Sequence, residues 1–502
     1  MVRLVEFDEA TEARVRFIED TPREEIVAKT LARLDDGEDP RALVTAAALA
    51  VSRSTELPAD HHGGPVHPVS GVHAIMGLIS RLQPNIGMTA AVQSVALANK
   101  HIHLPSMGPA AMVAFDDLKR SADTDVVLDR LESAVKNRQP RLAERAVTLA
   151  CEKATPGQIL NRLLTVALPR NSLDDHYLLY TIYAARALDA IGWQWGDIVL
   201  RPVVRFLSRH ASFDMFGEFD EESIHGGIRL HERFHELQDF IDQYGLTPET
   251  VPVESSPGES DAIAALADKI AAVDVISSLP RTIAEGMAGG LSMLGTCEAM
   301  SIGGARLFLR SHTGNPFDVH IHTGIAARRY LLQLPEIDFE KKLASLFGWP
   351  WGYEVRYLDH TLNWEWQNDA GTLSSAGETN LLADIENRIL ALPGFDMLNL
   401  PTQINLLVAP DEVRTIVRLA ESYVKAGFDV DRLFALSASL VCREDASEMH
   451  AYTIQQAAYE EYHTCREPYR WVHAVSAVKQ ASVTVPMKPT RVFAEISAAR
   501  AA

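Results

Sequence analysis

Apolar positions recur along this chain at the three-and-four spacing of a helix face far more often than at the alternate spacing of a strand. Thr21-Pro22-Arg23-Glu24 supplies an N-cap, a first-turn proline and a glutamate to close a capping box, and Ile26, Val27, Thr30, Leu31 and Leu34 then share one face. Thr155-Pro156-Gly157-Gln158 repeats the device before Ile159, Leu160, Leu163 and Leu164. Pro140 opens a further helix with Leu142, Ala146 and Leu149 on its apolar side. Pro410-Asp411-Glu412 starts the longest stripe, Val413, Ile416, Val417, Ala420, Tyr423 and Val424, and Gly427 is placed to end it. Strand patterning is confined to Leu406-Leu407-Val408 and Val483-Thr484-Val485. The pattern predicts an all-α, predominantly helical fold: a large multi-helix bundle or array with minor short strands.

Polar segments interrupt the helices. Residues 247–261 are rich in Pro, Ser and Glu and mark the expected boundary between an N-terminal helical part, 1–246, and a C-terminal helical part, 261–502. Residues 368–380, rich in Gly, Ser and Thr, read as a loop. Gly348-Trp349-Pro350-Trp351-Gly352-Tyr353 begins an aromatic region that runs to Trp364 and Trp366, and it reads equally as a substrate lid or as a loop packed by its own aromatics. Gly286, Gly289, Gly290 and Gly295 fit close helix packing better than a phosphate loop, since no GxGxxG or Walker pattern is present. Ser292 does not stand in a nucleophile elbow, which argues against a serine hydrolase.

Composition narrows the function classes. A formal net charge of −20, with no basic run interleaved with aromatics, excludes nucleic acid as an expected partner. Cys151, Cys297, Cys442 and Cys465 contain no CxxC pair and are too few for a disulfide framework in 502 residues, which fits a reducing compartment. The first residues lack the apolar core of a signal peptide, and no run reaches the roughly 18 apolar residues of a membrane span. A cytoplasmic protein with no membrane partner is expected.

The 18 histidines cluster. His61, His62, His67 and His73 lie together, followed by His101 and His103; His225, His231 and His235 form a second group, His312, His320 and His322 a third, and His450, His463 and His473 the last. Neutral imidazole is the commonest metal ligand and suits iron and zinc alike. Pro68 places a helix start beside His67, with His73 about a turn and a half further on. A local scheme also recurs: His67 and Ser70, His320 and Thr323, His450 and Thr453, His473 and Ser476 each pair a histidine near a helix start with a hydroxyl three residues on. Such a hydroxyl can orient a ligand ring or bond nearby backbone.

His231-Glu232-Arg233-Phe234-His235 is formally HExxH, the zinc-peptidase arrangement in which the glutamate activates a metal-bound water. Arg233 sits where such helices usually carry an uncharged residue, and Glu254 and Glu259, in the polar loop, are poor candidates for the third ligand.

Four stretches carry a resemblance to a known family, in the family's order. They are His73-Ala74-Ile75-Met76-Gly77-Leu78; Ile224-His225-Gly226-Gly227-Ile228-Arg229-Leu230; Val319-His320-Ile321-His322-Thr323, followed by Ala326-Ala327-Arg328; and the acidic stretch from Asp445 to His450. They are short, span most of the chain, and resemble the questin oxidase-like family. That family includes oxygenases of anthraquinone-type aromatic polyketides, part of which use non-haem iron held by histidines and a carboxylated lysine. The resemblance implies His67 or His73, His225, His320 and His450 as ligands. Thr453 stands where the family's last motif has a lysine, so the carboxylated-lysine ligand is not carried over.

The sequence therefore leads to a metal-dependent oxidoreductase: a non-haem iron oxygenase using dioxygen on an aromatic or polyketide-like small molecule. Its metal ligands would come from His67, His73, His225, His320 and His450, with His231 and Glu232 as candidates for proton transfer. The two helical parts are expected to pack as one globule with the metal site between them. Self-association into a homo-oligomer is compatible with the sequence. A zinc hydrolase built on His231, Glu232 and His235, and a non-enzymatic helical scaffold, are the alternatives.

Overall fold

A computed structural model of the chain describes residues 3–57, 64, 66–118, 120–171, 175–209, 230–312, 320–352, 377–396, 408–445, 447–488 and 490–501. It is predominantly all-α, with 22 α-helices among the described residues. The only extended pairing between named strands there is a two-residue parallel match of Phe395 with Met487 and Asp396 with Lys488. No described helix is long and apolar enough to cross a membrane. All four cysteines are free thiols.

The helices begin where local chemistry can satisfy their first N–H groups. Thr155 and Gln158 form a complete capping box at the Pro156–Ala167 helix, and Ile159, Leu160, Leu163 and Leu164 are all buried. Ile26–Asp35 buries Ile26, Val27, Thr30, Leu31 and Leu34, the face its spacing predicts, although the helix starts after a turn at Pro22 to Glu25. Pro410–Lys425 buries Val413, Ile416, Val417, Ala420 and Tyr423 and stops at Gly427, whose φ of +76° puts it in the left-handed region.

Two expectations are corrected. Pro140–Lys153 buries Ala143, Val147, Leu149 and Ala150, while Leu142 is 53% exposed, so the apolar face lies one step round from the expected one. The helix packs against both Thr124–Lys136 and Gly196–Arg209, and its buried side includes two small alanines, so bulk alone did not mark it. Val483 and Thr484 form the last turn of the Trp471–Thr484 helix rather than a strand. Burial all round that helix overrides the strand preference of β-branched residues. Leu406 and Leu407 lie outside the described residues.

The chain groups into two compact units: Met1–Phe234 with Gln333–Lys342 and Ala494–Ala502, and His235–Leu332 with Leu343–Phe493. In the first, His176–Ile191 is a central helix, buried from His176 to Leu188, and it packs against Val66–Arg81, Pro156–Ala167 and Gly196–Arg209. In the second, Trp471–Thr484 plays the same part, buried from Val472 to Thr484 and flanked by Met293–Arg310, Pro410–Lys425, Val430–Val441 and His450–Thr464. Of the glycines singled out in the sequence, two sit at close approaches, since a Cβ on Gly286 would come within 3.0 Å of Leu266 and one on Gly295 within 2.2 Å of Glu259, whereas Gly290 has open space around it and a φ of +106°.

Candidate functional site

Each unit holds a buried pair of histidines at helix starts. In the first unit His67 is the second residue of the Val66–Arg81 helix and His176 opens the His176–Ile191 helix. These two helices pack together, which brings one ring nitrogen of each histidine to within 4.8 Å of the other. The rings meet edge to face at 5.3 Å between centroids. Tyr180, one turn below His176, stacks on its ring at 4.6 Å and places its hydroxyl 2.8 Å from His67 Nε2. With the imidazole proton on Nε2 and donated to the phenol oxygen, the lone pair of His67 is on Nδ1.

His73, on the same helix as His67, meets a different partner. Arg186 Nη2 donates to His73 Nε2 at 2.6 Å. A guanidinium can only donate, so this nitrogen's lone pair is engaged. Of the two N-terminal candidates, His67 is the one held beside a second histidine.

In the second unit the rings of His320 and His450 lie 5.3 Å apart. Both residues are first in their helices and both are buried. His450 Nδ1 donates to the carbonyl of Ser447 at 2.7 Å. A carbonyl only accepts, so the neutral ring carries its proton on Nδ1 and its lone pair on Nε2. The turn that aims this carbonyl is held by Glu444, whose carboxylate accepts from the Ser447 N–H and, at 2.7 Å, from its hydroxyl. The same hydroxyl accepts from Ala451 N–H at 3.2 Å, and Tyr452 donates to the Glu444 carbonyl at 2.8 Å. Glu448 and Met449 enter the helix with φ of +50° and +82°, a left-handed turn made without glycine. His320 Nδ1 lies 2.9 Å from the Thr323 hydroxyl.

The recurring histidine–hydroxyl scheme is thus realised ring to hydroxyl once in four. Thr453 bonds the His450 backbone carbonyl at 2.8 Å instead, and the hydroxyls of Ser70 and Ser476 make no hydrogen bond among the described residues. His225 lies outside the described residues. So do the side chains of His231 and Glu232, whose backbone starts the Leu230–Gln243 helix; His235 on that helix is exposed. Glu259 is occupied as a cap, accepting from both the N–H and the hydroxyl of Ser292. Trp349 and Trp351 are buried in a short 3-10 turn, and Tyr353, Trp364 and Trp366 lie outside the described residues.

A second set of histidines in the second unit is wholly interior. Burial pushes His322 down to about 3, with His473 and Lys479 adding and Glu461 opposing. Burial also pushes His473 down to about 4, against the pull of Glu461. His322 Nε2 and His473 Nδ1 have no hydrogen-bond partner among the described residues, and His473 Nε2 is 3.5 Å from Ser301 Oγ. Arg329 clamps Glu461 through two bonds of 2.8 and 2.6 Å. Burial alone would raise the Glu461 carboxyl, but this guanidinium outweighs it and holds the group below its usual range.

His176, Tyr180, Glu444 and Ser447 are the residues of these pairs that sequence reasoning missed. The one signal for the first two was their four-residue spacing. Comparison of the chain with protein-family models, with curated proteins and with solved structures finds no match.

Proposed function

We propose that this chain is a metal-dependent oxidoreductase, a non-haem iron oxygenase acting on an aromatic or polyketide-like small molecule, with ligands in the buried histidine pair His320 and His450 or in the pair His67 and His176. The observation that carries the reading is the fixed tautomer of His450. A ligand histidine normally donates its other ring N–H to a protein oxygen, which sets the ring's orientation and raises its basicity. Ser447 plays that part for His450, and Thr323 and Tyr180 stand in the same relation to His320 and His67.

The donor chemistry fits the ion: neutral, buried imidazoles suit iron, copper and zinc and do not suit magnesium or calcium. The resemblance of four short motifs to the questin oxidase-like family favours iron and dioxygen among these. A bound iron would supply one-electron redox chemistry toward dioxygen, the remaining electrons coming from the organic substrate or an external reductant. The chain's own residues hold the ligand rings, exclude water from them by burial, and offer the Tyr180 phenol as a proton-bearing group beside His67.

Metal analysis of protein purified without a histidine tag tests the reading. Iron near one equivalent per chain is expected, and alanine in the pair that holds it, His450→Ala or His176→Ala, should lower it. Zinc in place of iron would move the reading to the hydrolase of His231, Glu232 and His235. A metal-free protein that takes up no iron on anaerobic reconstitution overturns the proposal.

A further inference from the structure

The second unit carries a cleft of about 480 Å³ that involves none of the paired histidines. It is lined by the end of the Pro410–Lys425 helix, the turn through Gly427 and Phe428, and the first residue of Val430–Val441. Tyr462 near the end of His450–Thr464 and the segment from Glu467 to Trp471 complete it. The volume falls within the roughly 300–1,000 Å³ of small-molecule sites.

We infer that this cleft binds a small aromatic carboxylate. Phe428, Tyr462 and Trp471 give it three aromatic rings, and Val424 and Val430 add aliphatic surface. Such walls favour a flat apolar body. Its charged groups are Lys425, Arg470 and Glu467, an excess of one positive charge in a chain of net charge −20. Glu467 is already paired with Arg470 through Nη2. Lys425 pairs with Glu421 on its own helix at 2.6 Å.

Arg470 is the decisive group. Its guanidinium lies over the Tyr462 ring, 4.9 Å from the centroid, which fixes its plane. The partner that a guanidinium holds best is an anionic oxygen, to which its planar fork of N–H groups donates. The side chain is 34% exposed, so a ligand can reach it. A cationic ligand would meet Lys425 and Arg470 together, and a purely apolar one would leave the excess positive charge of the cleft unanswered. An aromatic ring bearing a carboxylate answers both features.

Calorimetric titration of the full chain with 2-naphthoate, beside its uncharged analogue 2-naphthalenemethanol, tests the site. Saturable naphthoate binding is expected, with the alcohol at least tenfold weaker. Arg470→Gln should weaken naphthoate at least tenfold, and Arg470→Lys, which keeps the charge but loses the planar donor, should fall between. Equal affinity for acid and alcohol, unchanged binding in Arg470→Gln, or no heat up to millimolar naphthoate overturns the inference. Should circular dichroism show that Arg470→Gln does not fold, Lys425→Gln at its exposed position takes its place. At least threefold weakening is expected there, and unchanged affinity overturns the inference equally.

Discussion

His320 and His322 leave one helix two residues apart, yet their rings end in opposite circumstances. His320 stands in the first turn beside His450, and each of the two rings has a protein oxygen within hydrogen-bonding distance of its Nδ1. His322 points into the interior with His473, and each of those rings keeps one nitrogen without a partner among the described residues. Burial is similar, since none of the four is more than 7% exposed. Burial therefore does not distinguish a candidate ligand from an interior histidine. Nor does closeness to a helix start, since His322 and His473 are each the third residue of their helices; the difference is the oxygen each ring finds, the Thr323 hydroxyl for His320 and the Ser447 carbonyl for His450. The first pair is oriented, and the second carries a desolvation cost.

The largest expected effect comes from the group that shares the interior with His473. Glu461 is 1% exposed and its charge is balanced by Arg329. Replacing it with glutamine keeps the shape and leaves the guanidinium without its counter-charge. Losing one partner of a buried ion pair costs about 3–5 kcal/mol, and urea denaturation of Glu461→Gln should show a loss of that size. A loss no larger than about 0.5 kcal/mol, the usual scale for a surface change, would show that this interior is hydrated and would remove the contrast drawn above.

Acidification should separate the two sets next. The folded-state pKa values of His322 and His473 are depressed, to about 3 and about 4, from the ordinary 6.5. The unfolded chain takes up protons on these residues as pH falls through 6.5, and the folded chain does not, so stability is present above that pH and is lost below it. Two such histidines predict a loss of about 2 kcal/mol between pH 6.5 and 5.5, continuing toward pH 4. His322→Phe should flatten the slope in denaturation curves collected across this range. An unchanged slope would mean that His322 does not stay neutral in the fold.

Much of the fold was legible in the sequence, and the reasons are local. The capping box at Thr155 and the stripe from Val413 to Tyr423 are decided by neighbouring residues, and both stand as the spacing predicts. Leu142 misled because alanine carries little hydrophobic signal, although Ala143 and Ala150 are among the residues this helix buries. The site was harder. His320 and His450 were nameable from their helix starts, but His176 heads a helix buried nearly all round, where no polar face draws attention to it. Ser447 acts through its backbone carbonyl, which has no residue signature, and the left-handed turn at Glu448 and Met449 that precedes His450 lacks the glycine that would have announced it.

That turn supplies the smallest effect and the sharpest test of what orientation means. Glu444 holds the Ser447 N–H and hydroxyl, and Ser447 holds His450. Glu444→Gln keeps one acceptor oxygen and should cost about 1 kcal/mol in stability, the scale of a single hydrogen bond. Its effect on metal should be out of proportion to that cost, because loss of a group that orients a ligand lowers affinity by about 10–100-fold. Competition against a chelator of known affinity reads this directly, and Glu444→Asp, which keeps the charge but shortens the reach, should fall between glutamine and wild type. If both variants lose stability and hold metal as tightly as the parent, Glu444 only closes a turn, and the His450 ring owes its orientation to packing rather than to the Ser447 carbonyl.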